Sequence, residues 1–183
     1  LRGSKFATDI LFPNGDMSRA LEFYRGNAIS NHFNSMLAKA VSLYVEGIKS
    51  LGSKEPMQII EVGGGTGATT THILKALSES GVPFQYTFTD VSSGFFQHAQ
   101  SNFKRYDSSL KFKTLDLNKD IKAQGFQTQY FDLVIATNVL HATGDLTQTL
   151  NNVKSLLSES GWLLLNELTE VRSAITMMGG VLD

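Results

Sequence analysis

The sequence predicts an α/β domain built on a doubly wound, mostly parallel sheet. From residue 57 onward, short apolar segments alternate with segments of helical periodicity, which is typical of repeated β-α units. Two of these segments, 134–136 and 163–165, are continuously apolar and so suit strands buried on both faces. A glycine-rich turn follows the first strand directly. Right-handed crossovers between successive strands would place helices on both faces of the sheet.

The first fifty residues are predicted to be helical, since residues 16–49 lack the alternation of a strand. Asp16 or Ser18 can begin a helix that extends to about residue 25, and a second helix begins at about Ser30. The second helix carries apolar side chains at helical spacing: Phe33, Leu37, Val41, Tyr44, Val45 and Ile48. We therefore divide the chain into a helical N-terminal segment, 1–50, and an α/β core, 51–183.

The core is predicted to contain five strands separated by helices. The strands are 57–62, 84–89, 111–115, 131–137 and 162–166; the helices are 69–79, 92–106, and one from Asp145 or Thr147 to about 158. The Gly81-Val82-Pro83 run ends the first of these helices.

Composition excludes several classes of function. The 183 residues are 42% hydrophobic with a net charge of −1, so they give no basic footprint for nucleic acid or an anionic membrane. There is no apolar run of membrane-spanning length. Because there is no cysteine and the four histidines lack metal-ligand spacing, we expect no disulfide, no metal site and a cytoplasmic location. The Leu1-Arg2-Gly3-Ser4 start has no initiator Met or signal-peptide pattern, which suggests an excised domain or a tag remnant.

Polar residues stand at the end of every predicted strand. They are Glu61 with the following glycines, Asp90, Asp116, Asn138 with His141, and Glu167. Ligands of open α/β sheets bind beyond the carboxyl ends of the strands. We call this side of the sheet the ligand edge and expect the functional site there.

The glycine run Gly63-Gly64-Gly65-Thr66-Gly67 indicates a nucleotide-type cofactor, because bare backbone allows close approach and the next helix offers free N–H groups. The run also fits a dinucleotide fingerprint, with Gly63, Gly65 and Ala68 in the three key positions. However, Glu61 would repel a pyrophosphate. An acid suits a cofactor with a cationic amino group, a sulfonium and no phosphate, so we predict S-adenosylmethionine, with S-adenosylhomocysteine as product. A tight turn without a ligand is the alternative, and a nicotinamide-dependent oxidoreductase is disfavoured.

Further contacts to this cofactor are predicted along the same edge. Asp90 can accept hydrogen bonds from the two ribose hydroxyls. Asp116 can accept from the adenine amino group, with Leu117 against the ring. Val91 and Asn138, each beside a strand end, complete the predicted set. Helix capping or loop solvation is the alternative role for Asp90 and Asp116.

A second constellation pairs a histidine with an acid. His141 follows the fourth strand and Glu167 ends the fifth, which should lie beside it. A glutamate next to a histidine holds the imidazole in one tautomer and stabilises its protonated form, making it a better base. The alternative is two unrelated polar residues on one rim.

Seven segments together resemble the C-methyltransferase domains of modular polyketide synthases, over nearly the whole chain. They are Leu11-Phe12-Pro13, Phe23-Tyr24-Arg25, the Glu61 to Gly67 run, Tyr86-Thr87-Phe88-Thr89-Asp90-Val91-Ser92, Gln124-Gly125-Phe126, Tyr130-Phe131-Asp132-Leu133-Val134 and Asn138-Val139-Leu140-His141-Ala142-Thr143. The resemblance implies a Rossmann-like class I methyltransferase fold with a helical N-terminal lid over the cofactor. Such a sheet normally has seven strands, so the closing pair is expected to be missing; 168–183 leaves room for a loop and one helix near 174–181.

The resemblance also implies a reaction and partners. In that family a His–Glu dyad deprotonates the α-carbon of a β-ketoacyl chain, which is tethered to the phosphopantetheine arm of an acyl carrier protein. His141 and Glu167 match the dyad, and Tyr24 matches a lid tyrosine. The partners implied are the carrier protein and neighbouring domains of a multifunctional enzyme of polyketide biosynthesis. Two alternatives stay open: a small-molecule O- or N-methyltransferase, and an inactive methyltransferase-like scaffold domain.

Overall fold

The computed structural model describes residues 28–50, 52 and 55–167, and within them a five-stranded sheet. In chain order the elements are α1 (Ala28–Ser50), β1 (Met57–Val62), α2 (Ala68–Ser80), β2 (Phe84–Asp90), a 3₁₀ turn (Ser93–Phe95), α3 (Phe96–Asn102), a 3₁₀ turn (Lys104–Tyr106), β3 (Leu110–Thr114), β4 (Phe131–Thr137), a 3₁₀ turn (Leu140–Ala142), α4 (Leu146–Leu156) and β5 (Leu157–Asn166). The helices predicted near 16–25 and 174–181 lie outside the described residues.

All strand pairs are parallel, and the sheet order is β3-β2-β1-β4-β5. The doubly wound α/β fold is therefore confirmed. Because the chain moves outward from β1 in one direction and then returns to place β4 on its other side, the order reverses between β1 and β4. That reversal is the topological switch point at which open α/β sheets bind their ligands.

Apolar side chains fill both faces of the sheet. One cluster lies under α1 and α2 and includes Leu37, Val41, Val45, Ile59, Ile73, Tyr86, Phe88, Leu133 and Ile135. The other lies on the opposite face, under α4 and the 115–126 segment, and includes Ile60, Leu117, Phe126, Val134, Ala136, Leu140, Val153 and Leu156. From Leu133 to Ala136, successive residues of β4 enter opposite clusters, as the two-residue period of a strand requires.

Helix α1 runs antiparallel to the strands. Near its C-terminus, the Tyr44 hydroxyl donates to the carbonyl of Asp132, at the start of β4 (3.1 Å). Near its N-terminus, the buried Asn34 accepts a hydrogen bond from Thr69 Oγ1 in the first turn of α2 (2.9 Å). The N-terminal half of α1 therefore lies at the ligand edge. No helix of the described residues is long and apolar enough to cross a membrane.

Two elements differ from the sequence prediction. The helix expected over 92–106 is divided at Phe103, whose backbone (φ −106°, ψ 17°) leaves the helical region, while the Ser92 side chain caps its first turn by accepting from the N–H of Gly94. Strand β5 begins at Leu157 rather than at residue 162, with an irregular register before Trp162 pairs with Leu133.

Helix α4 begins after Asp145, whose carboxylate accepts from two backbone N–H groups.

Candidate active site

The glycine turn joins β1 to α2 at the switch point. Gly63, Gly65 and Gly67 have φ values of 63°, 51° and 77°, which L-residues with side chains rarely adopt. The turn is held by hydrogen bonds from Gly64 N to the carbonyl of Thr89 (2.8 Å) and from Gly67 N to the carbonyl of Gly64 (2.9 Å). The sequence-predicted turn and helix start are thus present at the ligand edge.

The glycines of the turn are needed for different reasons. A Cβ atom on Gly63 would lie 2.2 Å from Val139 Cγ2, and one on Gly64 would lie 2.3 Å from the Phe88 ring, so both positions are filled by the protein itself. A Cβ on Gly65 would meet only the carbonyl oxygen of Gly63, at 3.9 Å. Gly65 is therefore the position where the turn leaves open space for a ligand.

Gly63→Ala and Gly65→Ala are expected to differ in stability. Both positions have positive φ, which costs alanine about 1–2 kcal/mol. Only Gly63→Ala also overpacks the chain against Val139, adding about 1–3 kcal/mol. Urea unfolding of the two variants measures this difference, with Gly65→Ala as the matched control for backbone strain. Equal losses of unfolding free energy would contradict the packing role of Gly63.

Asp90 holds the turn from β2. Its Oδ2 accepts from the N–H of Gly65 (3.0 Å) and its Oδ1 from the N–H of Ser92 (2.9 Å). The side chain is buried, and this burial raises the pKa of its carboxyl above the usual value. Each carboxylate oxygen can accept a second hydrogen bond. The ribose contact stays a prediction that this arrangement permits.

Glu61 lies beneath the turn, not on its surface. It is 2% exposed, and its Oε2 accepts from the Thr70 hydroxyl (2.6 Å) and the Tyr86 hydroxyl (2.8 Å). Burial is the main cause that raises the pKa of Glu61 to about 7. The sequence reasoning missed both hydroxyl partners. A signal for Tyr86 exists, since it shares a sheet face with Glu61 on the adjacent strand.

Stability is expected to fall with rising pH because of Glu61. Between its ordinary pKa of 4.5 and about 7, the folded chain keeps a proton that the unfolded chain has lost. The contribution of the Glu61 proton to the free energy of unfolding is therefore full below pH 4.5 and is lost as pH rises through 7. The total loss is roughly 3 kcal/mol. Glu61→Gln cannot lose this proton. The difference in unfolding free energy between wild type and variant, measured by urea titration from pH 4.5 to 8.5, should shift in favour of the variant. A pH-independent difference would contradict this account.

The adenine side of the predicted site is less open than expected. Asp116 is held in its own loop: Oδ1 accepts from the N–H of Asn118 (3.0 Å) and Oδ2 lies 3.0 Å from Lys119 Nζ. The backbone N–H of Asn118 is the first cause lowering the pKa of Asp116. Leu117 is 4% exposed and packs in the core, whereas Val91 is 71% exposed. Contacts of these residues with adenine stay predictions.

The structure brings His141 and Glu167 together. Glu167 Oε1 accepts from the N–H groups of Val139 (2.9 Å) and Leu140 (2.8 Å), while its Oε2 pairs with His141 Nδ1. Asn138 begins this loop with φ 53°, a conformation that asparagine tolerates better than most residues. The Glu167 side chain is 15% exposed and that of His141 is 53% exposed. Glu167 thus holds the loop through hydrogen bonds to its backbone, and the His141 imidazole is exposed at the ligand edge.

This pairing fixes what His141 can do chemically. An ionised carboxylate only accepts hydrogen bonds, so the proton of the neutral imidazole lies on Nδ1. The lone pair is then on Nε2, which is available to take a proton from a substrate. Among the described residues, no group of three or more His, Asp or Glu side chains could hold a metal ion. The arrangement is that of a general base oriented by a partly buried acid. Tyr24, the predicted lid tyrosine, lies outside the described residues.

Comparison with known proteins identifies relatives. A methyltransferase domain family matches residues 60–163. The chain is 40% identical to polyketide synthase ThaQ of Burkholderia thailandensis over its whole length, and 48% identical over 127 residues to squalestatin tetraketide synthase of a Phoma species. Among solved structures it is similar to the DszA carbon methyltransferase (40% identity, TM-score 0.88) and the citrinin polyketide synthase CMeT domain (28%, 0.79). Trans-methyltransferase CalH, solved with SAH, has 29% identity and a TM-score of 0.71.

These relatives are longer than the chain. It covers 9% of ThaQ and 5% of the squalestatin synthase, and 47%, 46% and 50% of the DszA, citrinin synthase and CalH chains; the alignments take in 68–100% of this chain.

Proposed function

Because the chain belongs to the carbon methyltransferase domains of polyketide synthases, we propose that it methylates the α-carbon of a β-ketoacyl chain with S-adenosylmethionine as donor. The observation that supports this most is the His141–Glu167 pair at the ligand edge. A carbon acid must lose a proton before it can attack a methyl group, and His141 is the base in position to take it. A methyl transfer to an amine would not need this oriented base in the same way.

The residues at the switch point fit S-adenosylmethionine. The space over Gly65 admits close approach of a ligand, and Asp90 behind it can accept hydrogen bonds from hydroxyl groups. In its ionised form, the buried Glu61 beneath the turn favours a cation and disfavours a pyrophosphate. When bound there, the cofactor would supply an electrophilic methyl group on a sulfonium.

The chain's own residues account for the carbon acid step. A proton between a ketone and a thioester is already acidic, so His141 Nε2 suffices as base. As His141 takes this proton it becomes imidazolium, and Glu167 stabilises the new charge across the Nδ1 hydrogen bond. The resulting enolate carbon is the nucleophile. Alignment of the two reactants at one edge can supply effective molarities of about 10⁵ M or more.

The tethered substrate is part of the proposal. We place the β-ketoacyl chain as a thioester on the phosphopantetheine arm of an acyl carrier protein, with neighbouring synthase domains as further partners and a cytoplasmic location. The similarity to polyketide synthases supports a tethered substrate, because the substrates of those enzymes are thioesters of this kind.

The decisive experiment incubates a β-ketoacyl carrier protein with the chain and S-adenosylmethionine. Mass spectrometry should show a gain of one CH₂ on the acyl chain, and fragmentation should place it on the α-carbon. A methyl group on the enol oxygen would instead indicate an O-methyltransferase. Cofactor binding in a thermal shift assay without any transfer would indicate an inactive scaffold.

A further inference from the structure

Strand β3 is one edge of the described sheet, because β2 is its neighbour on one side and no described strand lies on the other. The carbonyl of Ser109, directly before β3, accepts from the N–H of Tyr86 (2.7 Å). The N–H of Leu115, directly after β3, donates to the carbonyl of Asp90 (3.0 Å). Since the backbone groups of successive strand residues point in opposite directions, the odd-numbered residues of β3 pair with β2 and the even-numbered ones point away from it.

Three residues therefore present free backbone groups along the outer side of β3: Leu110, Phe112 and Thr114. No described residue hydrogen-bonds to their N–H or carbonyl groups. A row of such groups is a template for an added strand, since each can pair with the backbone of another extended chain. We call this row the β3 edge.

Two lysines stand beside the β3 edge on one face of the sheet. Lys111 and Lys113 are two residues apart on β3, so their side chains share a face. With Thr87, Phe126 and Tyr130 they line a cleft of about 430 Å³. The cleft thus combines aromatic walls with two cations.

Neither lysine is neutralised by a carboxylate of the described residues. The ion pairs among these residues include neither Lys111 nor Lys113. Lys113 Nζ donates to the carbonyl of Gly125 and lies 3.9 Å from the centre of the Phe126 ring. Because an ammonium group has three donors, two of them stay available on Lys113. Lys111 is exposed. The charge beside the β3 edge therefore favours an acidic occupant.

A second copy of the chain fits the β3 edge poorly. Two such edges paired with each other would bring their lysines side by side, and like charges on adjacent strands are destabilising. Lysines on an edge strand commonly prevent pairing of this kind. An extended chain with a carboxylate at every second residue would instead place its negative charges beside Lys111 and Lys113, because alternate side chains of a strand share a face.

We propose that an acidic, extended segment of a polyketide synthase polypeptide binds the β3 edge as a further strand, with its carboxylates at Lys111 and Lys113. The length of the relatives supports a segment of the same polypeptide as its source, since the chain covers 9% of ThaQ and 5% of the squalestatin synthase. A tethered segment meets the edge at a high effective concentration, so weak strand pairing suffices. The inference goes beyond methyl transfer and does not depend on it.

Amide hydrogen exchange followed by NMR tests the proposal on the chain itself. In the free chain, the N–H groups of Phe112 and Thr114 should exchange faster than those of Lys111 and Lys113, which point toward β2. The probe is a capped hexapeptide of alternating glutamate and valine. Its control has the same composition, with all three glutamates before the three valines. At saturation the alternating peptide should slow exchange at Phe112 and Thr114 about tenfold or more, and the control peptide should not.

Variants test the lysines and the free backbone separately. Lys111→Glu sets a carboxylate against those of the peptide and should raise the Kd about 3–10-fold. Thr114→Pro removes one outward N–H in an edge strand, where proline is tolerated, and should raise the Kd about fivefold. Thr114→Val keeps that N–H and should bind like the wild type. Lys39→Glu, the same charge change on the exposed side of α1, is the control and should leave the Kd unchanged.

Three results would overturn the proposal. If Phe112 and Thr114 exchange as slowly as Lys111 and Lys113 in the free chain, the edge is already covered by the chain itself or by a second copy. If neither peptide slows exchange, or both slow it equally, no acidic strand is added. If Lys111→Glu and Lys39→Glu bind the peptide alike, the lysines do not select the occupant. Failure of methyl transfer in a chain that binds the alternating peptide would refute the proposed function alone.

Discussion

His141→Ala is expected to slow methyl transfer to the β-ketoacyl chain about 10²–10⁴-fold, the usual contribution of a general base. Affinity for S-adenosylmethionine should stay at the wild-type level, because the turn at Gly65 and its partner Asp90 hold together without the imidazole. Single-turnover rates from quenched samples measure the first quantity, and titration calorimetry the second. Stability should change little, since the His141 side chain is half exposed.

His98→Ala is a matched control for this experiment. His98 lies in α3, and its ring nitrogen pairs with Asn102 on the same helix (2.7 Å). Its loss should leave both rate and affinity unchanged. If His141→Ala weakened cofactor binding as much as it slowed turnover, the imidazole would have a structural role and the assignment of the base would fail.

Much of the sheet could be predicted because its signals are local. Strands β1 and β4 have the predicted bounds, since each is an apolar run that ends at Gly63 or Asn138. The break in the helix expected over 92–106 was not predictable from apolar spacing. It depends on the backbone of Phe103, which leaves the helical region (φ −106°, ψ 17°) between α3 and the 3₁₀ turn that follows.

At the site, too, the strand ends predict which residues are neighbours, whereas the orientation of their side chains depends on packing. The neighbourhood of His141 and Glu167 followed from the rule that parallel strands end at one edge. The hydrogen bonds from the N–H groups of Val139 and Leu140 to Glu167 could not be predicted in this way, because they depend on the left-handed backbone at Asn138. Likewise, the sequence placed Glu61 at the turn, but only packing shows that its carboxylate points inward to Tyr86.

Glu167→Gln is expected to lower turnover nearly as much as loss of the histidine, with an almost intact fold. The glutamine oxygen can still accept from the N–H groups of Val139 and Leu140, so the loop keeps its shape. The amide NH₂ then faces His141 and can only donate. The imidazole must accept at Nδ1, and its proton moves to Nε2, where the base is needed. In serine proteases the corresponding change from aspartate to asparagine costs about 10⁴-fold for this reason.

Two readouts separate this tautomer effect from simple damage. Nitrogen-15 NMR of the imidazole should show the neutral ring protonated on Nδ1 in the wild type and on Nε2 in Glu167→Gln. Glu167→Ala is the contrast: it leaves two backbone N–H groups without their acceptor and should cost about 1–3 kcal/mol of unfolding free energy, which Glu167→Gln should largely retain. A Glu167→Gln chain that kept wild-type turnover would show that the glutamate serves only as the loop clamp. The orienting role would then have to be withdrawn, because a base with its lone pair on the wrong nitrogen cannot take the α-proton.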